Sequence, residues 1–465
     1  MRVQGFAVQF FTVATVVSFV SLAAPRAAPT CTAVVNATII DPERETARRA
    51  TVVACGDQFT SIGAAADAQL RQAAHVIDGR GAFLVPGLWD MHVHLDQAAV
   101  SAGPLLVSHG VTSVRDVGSP FSFIAKWTER AAAGAVVMPR IYPAGIMFES
   151  PRFMQLVDRL GRTLPPEEAT LLSDVMRRRV AVANAVEFDR ELATAETHGA
   201  TFVKIRNVET PELLYAFAAR AKRAGLPVAA HVLPGVDLAR ASESGVRSFE
   251  HYEGFAANDV ESADPARSVA IAMVFRKNRT ALVPTLVTRE SQRQSPAAAS
   301  RVLTDQRRLS AMRRAGVAPD VLDLWRMKVD LMRVDPTSDW SHTWDIGVRF
   351  ARHAYQSGVD ILAGTDLGAP FVYPGDSLVK ELEMLTEYVG LTPGQALTAA
   401  TVGPARWFGR DTVVGTIEVG KAADMVLLGS NPLIRTRNLR DVLGVMLRGT
   451  YYSRAELRRR GTADN

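Results

Sequence analysis

The stretch Pro86–Leu95, PGLWDMHVHL, decides how the rest of the chain is interpreted. An apolar run leads into His92 and His94, and alternate residues of a β-strand point to the same face, which Asp90 also shares. Parallel α/β folds gather their functional side chains where strands end. We therefore predict a strand over Leu88–Leu95 whose carboxyl end carries a site.

Seven further apolar runs of strand length follow, and helical stretches separate them, as in a parallel α/β sheet or barrel. The eight predicted strands are Leu88–Leu95, Thr112–Val117, Arg140–Ala144, Thr201–Ile205, Pro227–Val232, Ser248–Tyr252, Ala281–Leu286 and Asp360–Asp366. A helix is predicted over Pro211–Ala224, with proline at its start and Gly225 after its end. Eight alternating units predict an α/β fold of the (β/α)8 TIM-barrel class.

Both ends of the chain have a strand-rich texture that differs from the middle. We predict a small β-sandwich domain built from residues 29–86 and 412–465, and a barrel from residues 87–411. The Arg-rich, helical stretch Thr288–Trp344 is interpreted as an insertion after the seventh strand that can cover the barrel mouth.

Residues 1–28 have the order of a secretory signal peptide: a basic residue, an apolar run and then small residues. An uncleaved membrane anchor is the alternative, because the apolar run approaches the roughly 20 residues that span a bilayer. No second apolar run reaches that length. The prediction is a periplasmic or secreted protein without a membrane association after signal cleavage.

Cys31 and Cys55 are the only cysteines, and both lie in alternating runs joined by the polar stretch Asp41–Arg49. A hairpin centred near residue 43 would place the two opposite each other. An oxidising compartment then favours a disulfide. Two buried free thiols are the alternative.

The composition excludes several classes of protein. The 465 residues are 48% hydrophobic and 22% charged, which is typical of a chain with a large core and not of a disordered segment. The net charge of +5 is spread along the chain, apart from arginines near the carboxyl terminus, so a nucleic-acid partner is not predicted. Only seven of the 53 basic residues are lysines, so a lysine at a strand end is informative.

Four further polar residues close predicted strands. Lys204 closes the fourth, His231 the fifth, His251 the sixth and Asp366 the eighth. Chance placement, with the histidines as ordinary core residues, is a poor explanation for so many imidazoles at equivalent positions. Together with the two histidines of the first strand, they predict one site at the carboxyl ends.

These motifs resemble the metal-dependent amidohydrolase superfamily, in its imidazolonepropionase-like and prolidase-like branch. The resemblance runs from about Cys31 to the final residues, and it rests on PGLWDMHVHL, GVTSVRDVG, FVKI, VAAHV, SFEHY, AGTD, SLVKELEMLTEYVGLTPGQALTAAT and GTIEVGKAADMVLLGSNPL. It implies two divalent metal ions, expected to be Zn²⁺. One would be held by His92, His94 and Asp366, the second by His231 and His251, with N-carboxylated Lys204 between them.

Elementary chemistry agrees with the role that the resemblance gives Lys204. A protonated ammonium has no lone pair and repels dications, whereas a carbamate formed with CO2 is an anion with two oxygens. The alternative is an ordinary lysine that extends to solvent. Asp366 is the predicted catalytic residue, because a carboxylate beside the metals can carry a proton from water to a leaving amine.

The resemblance implies a hydrolase for an amide C–N bond of a small molecule, such as a dipeptide or an N-acyl amino acid. The segments after the third and fourth strands depart from the prolidase-like pattern, so the substrate contacts are expected to differ. Tyr142 and Arg206 are the candidate substrate-binding residues, the latter because an arginine fork suits a carboxylate. A structural ion pair of Arg206 is the alternative. Arg115 and Asp116 are expected to form a salt bridge.

Other functions stay open at this level. A deaminase, or a hydrolase of cyclic amides or lactones, would use similar parts, and a barrel without turnover could act as a binding module. All six expected metal ligands are present, which favours an enzyme. The predicted partner is a small-molecule substrate, and a homo-oligomer is compatible with the sequence.

Overall fold

The computed structural model describes residues 30–98, 102–252, 265–309, 317–334 and 341–463. The predicted signal peptide, residues 1–28, lies outside these ranges. Among the helices they contain, none is both long enough and apolar enough to cross a membrane.

Seventeen strands are found in the described ranges. They are β1 (Cys31–Asp41), β2 (Thr46–Cys55), β3 (Gln58–Ile62), β4 (His75–Asp78), β5 (Phe83–Pro86), β6 (Leu88–Val93), β7 (Val111–Asp116), β8 (Arg140–Pro143), β9 (Met147–Glu149), β10 (Arg179–Ala181), β11 (Val203–Ile205), β12 (Val228–His231), β13 (Val246–Glu250), β14 (Ala281–Val283), β15 (Met425–Leu428), β16 (Val442–Leu447) and β17 (Thr450–Ser453).

Strands from both ends of the chain form one mixed sheet, which we call the terminal sheet. Its order is β17-β16-β15-β5-β1-β2-β3, with β4 paired to β1. The amide of Phe59 in β3 donates to the carbonyl of Lys421, and the amide of Gly420 donates to the carbonyl of Phe59. The edge strand β3 is therefore hydrogen-bonded to the segment that leads into β15. One apolar cluster joins the two chain ends, with Val34, Phe59 and Met425 among its buried members.

The predicted disulfide is confirmed. β1 and β2 pair in antiparallel register with Cys31 opposite Cys55, and the two sulfurs are bonded, with their Cα atoms 4.1 Å apart. A bulge between Val34 and Ala37 shifts the register along the hairpin.

The middle of the chain holds two parallel sheets, β6-β7-β8 and β10-β9-β11-β12-β13-β14. Seven of the eight predicted strands match β6, β7, β8, β11, β12, β13 and β14, with ends that shift by a few residues. The short strands β9 and β10 were not predicted. Gly145 lies between β8 and β9 and interrupts what would otherwise be one strand. It has φ +77°, and a Cβ atom there would overlap the Phe121 ring. The chain therefore bends between β8 and β9.

The prediction of a regular eighth strand over Asp360–Asp366 was wrong. The segment forms only isolated bridges, Ile361 with Leu282 and Leu367 with Val93. It still bonds both neighbours, because the amide of Leu362 donates to Leu282 (2.8 Å) and the amide of Met91 donates to Ala363 (2.9 Å). Gly364 packs closely against His92 and Val283, and the backbone turns left-handed at Asp366, with φ 60°, where the segment ends.

Helices separate the parallel strands. The α-helices are Ala64–Gln69, Ala102–Ser108, Phe121–Ala132, Pro151–Gly161, Pro166–Met176, Ala185–Thr197, Pro211–Arg223, Leu238–Ser244, Pro265–Asn278, Leu286–Gln292, Pro296–Thr304, Pro319–Val334, Ser341–Gln356, Asp376–Met384, Pro393–Ala399, Val402–Trp407 and Arg454–Ala463. Short 3-10 turns cover Leu70–Gln72, Leu95–Gln97 and Thr436–Arg440, and Leu385–Val389 is a π-helical turn.

The helix predicted over Pro211–Ala224 is confirmed as Pro211–Arg223. The Thr210 side chain accepts a hydrogen bond from the amide of Leu213 at its start, and Gly225 after its end has φ +80°. This is the proline-first, glycine-last pattern that the sequence indicated.

The described residues of the predicted insertion are mostly helical, and one of their helices lies against the loop that follows Asp366. Trp325, in the helix Pro319–Val334, contacts the rings of Phe371 and Tyr373 at centroid distances of 5.6 and 5.8 Å. The insertion therefore packs beside a predicted metal-ligand loop.

Candidate active site

The carboxyl ends of the parallel strands bring four of the predicted ligands together. The Oδ1 atom of Asp366 lies 3.6 Å from Nε2 of His92 and 3.5 Å from Nε2 of His94. The ring centroid of His251 is 4.7 Å from that of His92. His92 and His251 are buried, with 1% and 4% of their surface exposed. The side chains of His94 and Asp366 keep 14% and 15% exposed, so the cluster still has an open side.

One ligand atom each from His92, His251 and Asp366 lie within 4.8 Å of one another, close enough to hold a metal ion. This group takes members from both predicted metal sets, which places the two sets side by side. The fifth ligand, His231, joins the cluster edge-on, with its ring 4.8 Å from His251.

Lys204 lies in the same layer and is almost completely buried, with 1% exposed. Its Nζ atom makes no hydrogen bond within the described part of the chain. Burial lowers the pKa of Lys204 to about 8, although Glu250 opposes the shift. A buried amine without a partner is unusual, because buried polar groups are normally hydrogen-bonded.

Neutral imidazoles are the form of histidine that binds metals, and the surroundings of these histidines favour that form. Burial, and next the charge of Lys204, lower the pKa of His92 and of His231. Burial likewise holds the pKa of His251 well below its usual value. Burial raises the pKa of Asp366, but a hydrogen bond from His94 and the nearby His92 outweigh it, so the net pKa is lowered.

Glu250 fixes the orientation of His92. Its Oε2 atom lies 2.7 Å from Nδ1 of His92 and accepts a hydrogen bond from Nη2 of Arg115 at 2.6 Å. The Ser248 hydroxyl donates to its other oxygen at 2.6 Å. Because the carboxylate needs a donor, Nδ1 of His92 carries the proton and Nε2 is left free as a ligand.

This arrangement corrects the expected salt bridge between Arg115 and Asp116. Arg115 points toward Glu250 and also donates to the carbonyl of Met91 and the hydroxyl of Ser248. Asp116 instead accepts hydrogen bonds from the amides of Leu95, Gly118 and Ser119. Neighbouring residues of a strand point to opposite faces, which separates the two side chains.

Thr285 supports His251 in the same manner. Its Oγ1 atom lies 2.6 Å from Nδ1 of His251 and donates to the carbonyl of Pro284, so it accepts the imidazole proton. His251, Thr285 and Asp366 all have left-handed backbones, with φ of 67°, 51° and 60°. For a β-branched residue such as Thr285 this conformation is strained, and strain of this kind concentrates at functional sites.

Asp90 positions the loop that carries Asp366. Its carboxylate accepts hydrogen bonds from the amide and hydroxyl of Thr365, at 2.9 and 2.6 Å, and a longer one of 3.2 Å from the amide of His92. Asp90 therefore connects two ligand segments through their backbones, although it does not contact an imidazole ring. Burial raises its pKa to about 7.

The two predicted substrate contacts lie in different places: Arg206 is near the ligands, since its charge helps to lower the pKa of Lys204 and of His231, whereas Tyr142 is not part of their cluster. Arg206 forms an ion pair with Glu149, with 3.0 Å between Nη1 and Oε2, and its guanidinium stacks on Phe153. This is the structural alternative that the sequence left open. Tyr142 packs between Trp89 and Phe408, with ring centroids 4.6 and 4.8 Å away, toward the amino-terminal ends of the strands.

Sequence reasoning missed Lys328, which the insertion brings to the ligand loops. Its Nζ atom donates to Oε1 of Gln97 at 2.7 Å and to the carbonyl of Gly368 at 2.6 Å. These acceptors lie just after His94 and Asp366, so Lys328 links the insertion to both segments. The scarcity of lysines was the signal that could have identified it. Glu250 was missed as well, although it stands beside His251 in the motif SFEHY.

The sequence was also compared with known protein families and with curated and solved proteins. The sequence model of the Amidohydrolase family matches residues 83–451. The imidazolonepropionase of Geobacillus kaustophilus is 36% identical over 77 residues, which are 17% of this chain and 18% of that protein. The chain thus matches about a fifth of the length of such curated relatives.

Solved structures resemble the chain over most of its length. A putative prolidase from Bifidobacterium longum is 24% identical, with a TM-score of 0.64, over 91% of this chain and 95% of its own. A bottromycin amidohydrolase is 25% identical, with a TM-score of 0.66, over 92% and 88%. The family and these neighbours imply a TIM-barrel-type fold with α/β content. Members of the family generally bind divalent metals.

Proposed function

The chain belongs to the amidohydrolase family, and we propose that it is a binuclear metal-dependent hydrolase that cleaves an amide C–N bond of a small substrate. The observation that carries the proposal is the convergence of His92, His251 and Asp366, whose ligand atoms lie within 4.8 Å of one another. His94 borders the same carboxylate, and His231 borders His251.

The donor set fits two zinc ions, which the histidines, Asp366 and a carboxylated Lys204 would hold. His92 and His251 each have Nδ1 engaged by a neighbour, which leaves Nε2 for a metal. Lys204 Nζ is buried without a partner among the described residues. Reaction with CO2 would convert this amine into a carbamate, an anion whose two oxygens can serve as metal ligands. When bound, the metals would lower the pKa of a shared water and polarise the substrate carbonyl.

The residues of the chain supply the proton chemistry and the positioning. Asp366 borders both histidines of the first strand, so its carboxylate can take a proton from the attacking water and return it to the leaving nitrogen. Glu250 and Arg115 keep the His92 ring in one orientation. Lys328 holds the insertion against the ligand loops, which limits access of bulk water.

The carboxylation of Lys204 has its own test. Lys204→Ala should lose most activity and recover part of it with short carboxylic acids that replace the carbamate. Lys222→Ala, at an exposed helical lysine, is the matched control. A full rate in Lys204→Ala would remove the carbamate from the mechanism.

We further propose that the two parallel sheets close into a complete (β/α)8 barrel and that the terminal sheet folds over as a β-sandwich. Hydrogen bonds from β6 and β14 to the segment 360–367 support closure of the barrel. The bonds between β3 and the segment 420–423 support the sandwich, because they connect the far edge of the terminal sheet to the chain just before β15.

A periplasmic or secreted location is part of the proposal. The disulfide between Cys31 and Cys55 supports it, because such bonds persist in oxidising compartments. Cleavage after residue 28 can be read directly from the amino-terminal sequence of exported protein. A cytoplasmic pool with both thiols free would contradict this location.

The proposed function is tested with a substrate panel. Zinc-loaded protein is assayed with dipeptides, N-acyl amino acids, lactams, lactones and aminated heterocycles, with Asp366→Asn as the inactive control. Hydrolysis of linear amides by the wild type alone is expected. Ammonia release from a heterocycle as the only activity would assign a deaminase instead. Activity confined to lactams or lactones would assign a cyclic amide or lactone hydrolase.

A further inference from the structure

A cavity of about 360 Å³ lies between the terminal sheet and the amino-terminal ends of the parallel strands. Asp57, Ala422 and Arg448 line it from the terminal sheet and its connections, and Arg140 and Tyr142 line it from β8. Its volume falls within the range of about 300–1,000 Å³ that small-molecule sites occupy. Trp127 and Val413 contribute apolar wall.

Tyr142 is the most informative residue of this cavity. It is buried, with 7% exposed, yet its hydroxyl makes no hydrogen bond with any described residue. The hydroxyl oxygen is not among the fully buried polar atoms, so it can meet a ligand in the cavity. The ring packs against Trp89 and Phe408, which hold it in place.

Three guanidinium groups line the same cavity. Arg410 is an exposed residue whose guanidinium carbon lies 5.9 Å from the centre of the Tyr142 ring, and it makes no ion pair with a described residue. Arg140 binds Asp424 through Nε at 2.7 Å, but its Nη2 atom has no partner in the described ranges. Arg448 donates to two backbone carbonyls, those of Met138 and Pro139, so no carboxylate accepts from its guanidinium.

This combination of donors suits an anionic group with two or more acceptor oxygens. We propose that the cavity around Tyr142 binds a small organic carboxylate with an apolar body. The carboxylate would accept from the Tyr142 hydroxyl and from Arg410 and Arg140, because guanidinium groups pair with carboxylates in a forked geometry. The apolar body would lie against Trp127 and Val413. This site is additional to the proposed catalytic function.

The cavity is separate from the metal-ligand layer, which consists of the proposed ligands His92, His94, Lys204, His231, His251 and Asp366. Tyr142 stacks on Trp89, which precedes His92 by three residues toward the amino-terminal end of β6. None of the residues that line the cavity is a predicted metal ligand, and neither Arg115 nor Glu250, which pair with each other, is among them. A ligand in this cavity therefore reaches none of the metal-binding side chains.

The test measures binding of 3-phenylpropionate to the full chain by isothermal titration calorimetry, with the neutral 3-phenylpropionamide as the matched probe. The acid is expected to bind and the amide to bind at least about tenfold more weakly. Arg410→Gln should weaken the acid at least about tenfold, the scale of one charge-assisted hydrogen bond. Tyr142→Phe, which keeps the packing, should weaken it about threefold or more.

Two controls locate the binding. Arg48→Gln removes an exposed arginine of β2 outside the cavity and should leave the affinity unchanged. Arg289→Gln removes a cation near the metal ligands and should also leave it unchanged. Loss of binding in Arg289→Gln but not in Arg410→Gln would assign the carboxylate to the catalytic site and overturn the proposal. Equal binding of acid and amide, or no binding of the acid at millimolar concentration, would overturn it as well.

Discussion

The metal-ligand layer and the terminal sheet differ in their buried polar groups and in where their left-handed residues lie. In the terminal sheet, no described side chain has a buried polar atom without a partner, and its left-handed residues Asn36, Glu45 and Arg448 lie at a bulge or in turns. In the ligand layer, Lys204 Nζ and His94 Nδ1 are buried without partners. His251 and Asp366 adopt left-handed backbones where they face the site.

The difference indicates that the metal-ligand layer holds groups that lower the stability of the fold but suit metal binding and catalysis. Each strained residue costs about 1–3 kcal/mol, and each buried polar group without a partner costs a similar amount. Bound metals would offset these costs in the ligand layer. In the terminal sheet, the described side chains bear no cost from unpartnered buried polar atoms, although three non-glycine residues are left-handed, and the disulfide adds stability. Substitutions in the ligand layer should therefore alter metal binding and turnover, whereas those in the sheet should alter unfolding alone.

The largest effect is expected for Asp366→Asn. The amide keeps the shape of the side chain but cannot accept the proton, so turnover should fall by roughly 10²-fold or more, the scale of a positioned base. Part of the metal should remain, because the other ligands are intact. Rates and metal content are measured on the same preparations. Turnover within threefold of the wild type would exclude Asp366 as the proton carrier.

The next effect belongs to the terminal sheet. Reducing the bond between Cys31 and Cys55, which are 24 residues apart, should lower the free energy of unfolding by about 3 kcal/mol in the chain-entropy description. Activity of the folded enzyme should not change. Thermal melts with and without reductant, with mass spectrometry of the linked peptides, check both statements. A loss of turnover without a change in melting temperature would reverse the assignment of roles.

Glu250→Gln tests the carboxylate that orients His92. It removes the negative charge that Arg115 and His92 share, so the His92 ring loses its fixed orientation. Metal affinity should fall by about 10- to 100-fold, as is typical when a group that orients a ligand is lost. Glu243→Gln, at an exposed site seven residues earlier, is the matched control. Equal metal affinities of Glu250→Gln and wild type would show that the carboxylate only packs.

The smallest effect concerns Glu381, which lies behind the site and accepts from the amide of Val287 at 2.8 Å. Burial raises its pKa to about 8, from 4.5 in an exposed glutamate. Between these pH values the folded chain keeps a proton that the unfolded chain releases, so the free energy of unfolding falls as pH rises through the window.

Glu381→Gln should remove that dependence. Between pH 5 and pH 8 the wild type should lose at least about 1 kcal/mol more than the variant. Urea unfolding at several pH values measures the difference. Parallel profiles of the two proteins would mean that Glu381 is ionised in the folded state.

The sequence predicted much of this architecture because strand ends and ligand types are local signals. Seven strand positions, the disulfide and the shared layer of His92, His94, His251 and Asp366 follow from alternation and spacing. The irregular eighth strand did not, because its geometry depends on close packing of Gly364 against His92. Contacts between residues so far apart in the sequence do not produce a periodic pattern of residue types.

Supporting contacts were also beyond sequence reasoning. Arg115 and Glu250 are 135 residues apart, and Lys328 reaches Gln97 across 231 residues. Tyr142, in the third predicted strand, was a candidate substrate contact, but its ring packs against Trp89 and Phe408. A position along a strand fixes the face of a side chain, not the end of the sheet toward which it tilts.

Metal content per chain tests the central claim most directly. Elemental analysis of purified, active protein, before and after chelation and zinc reloading, counts the ions that the ligand layer holds. The proposal predicts close to two zinc ions per chain, loss of activity with their removal and a higher melting temperature on reloading, because a ligand that binds only the folded state stabilises it. One tightly bound ion in a fully active enzyme would contradict the binuclear site.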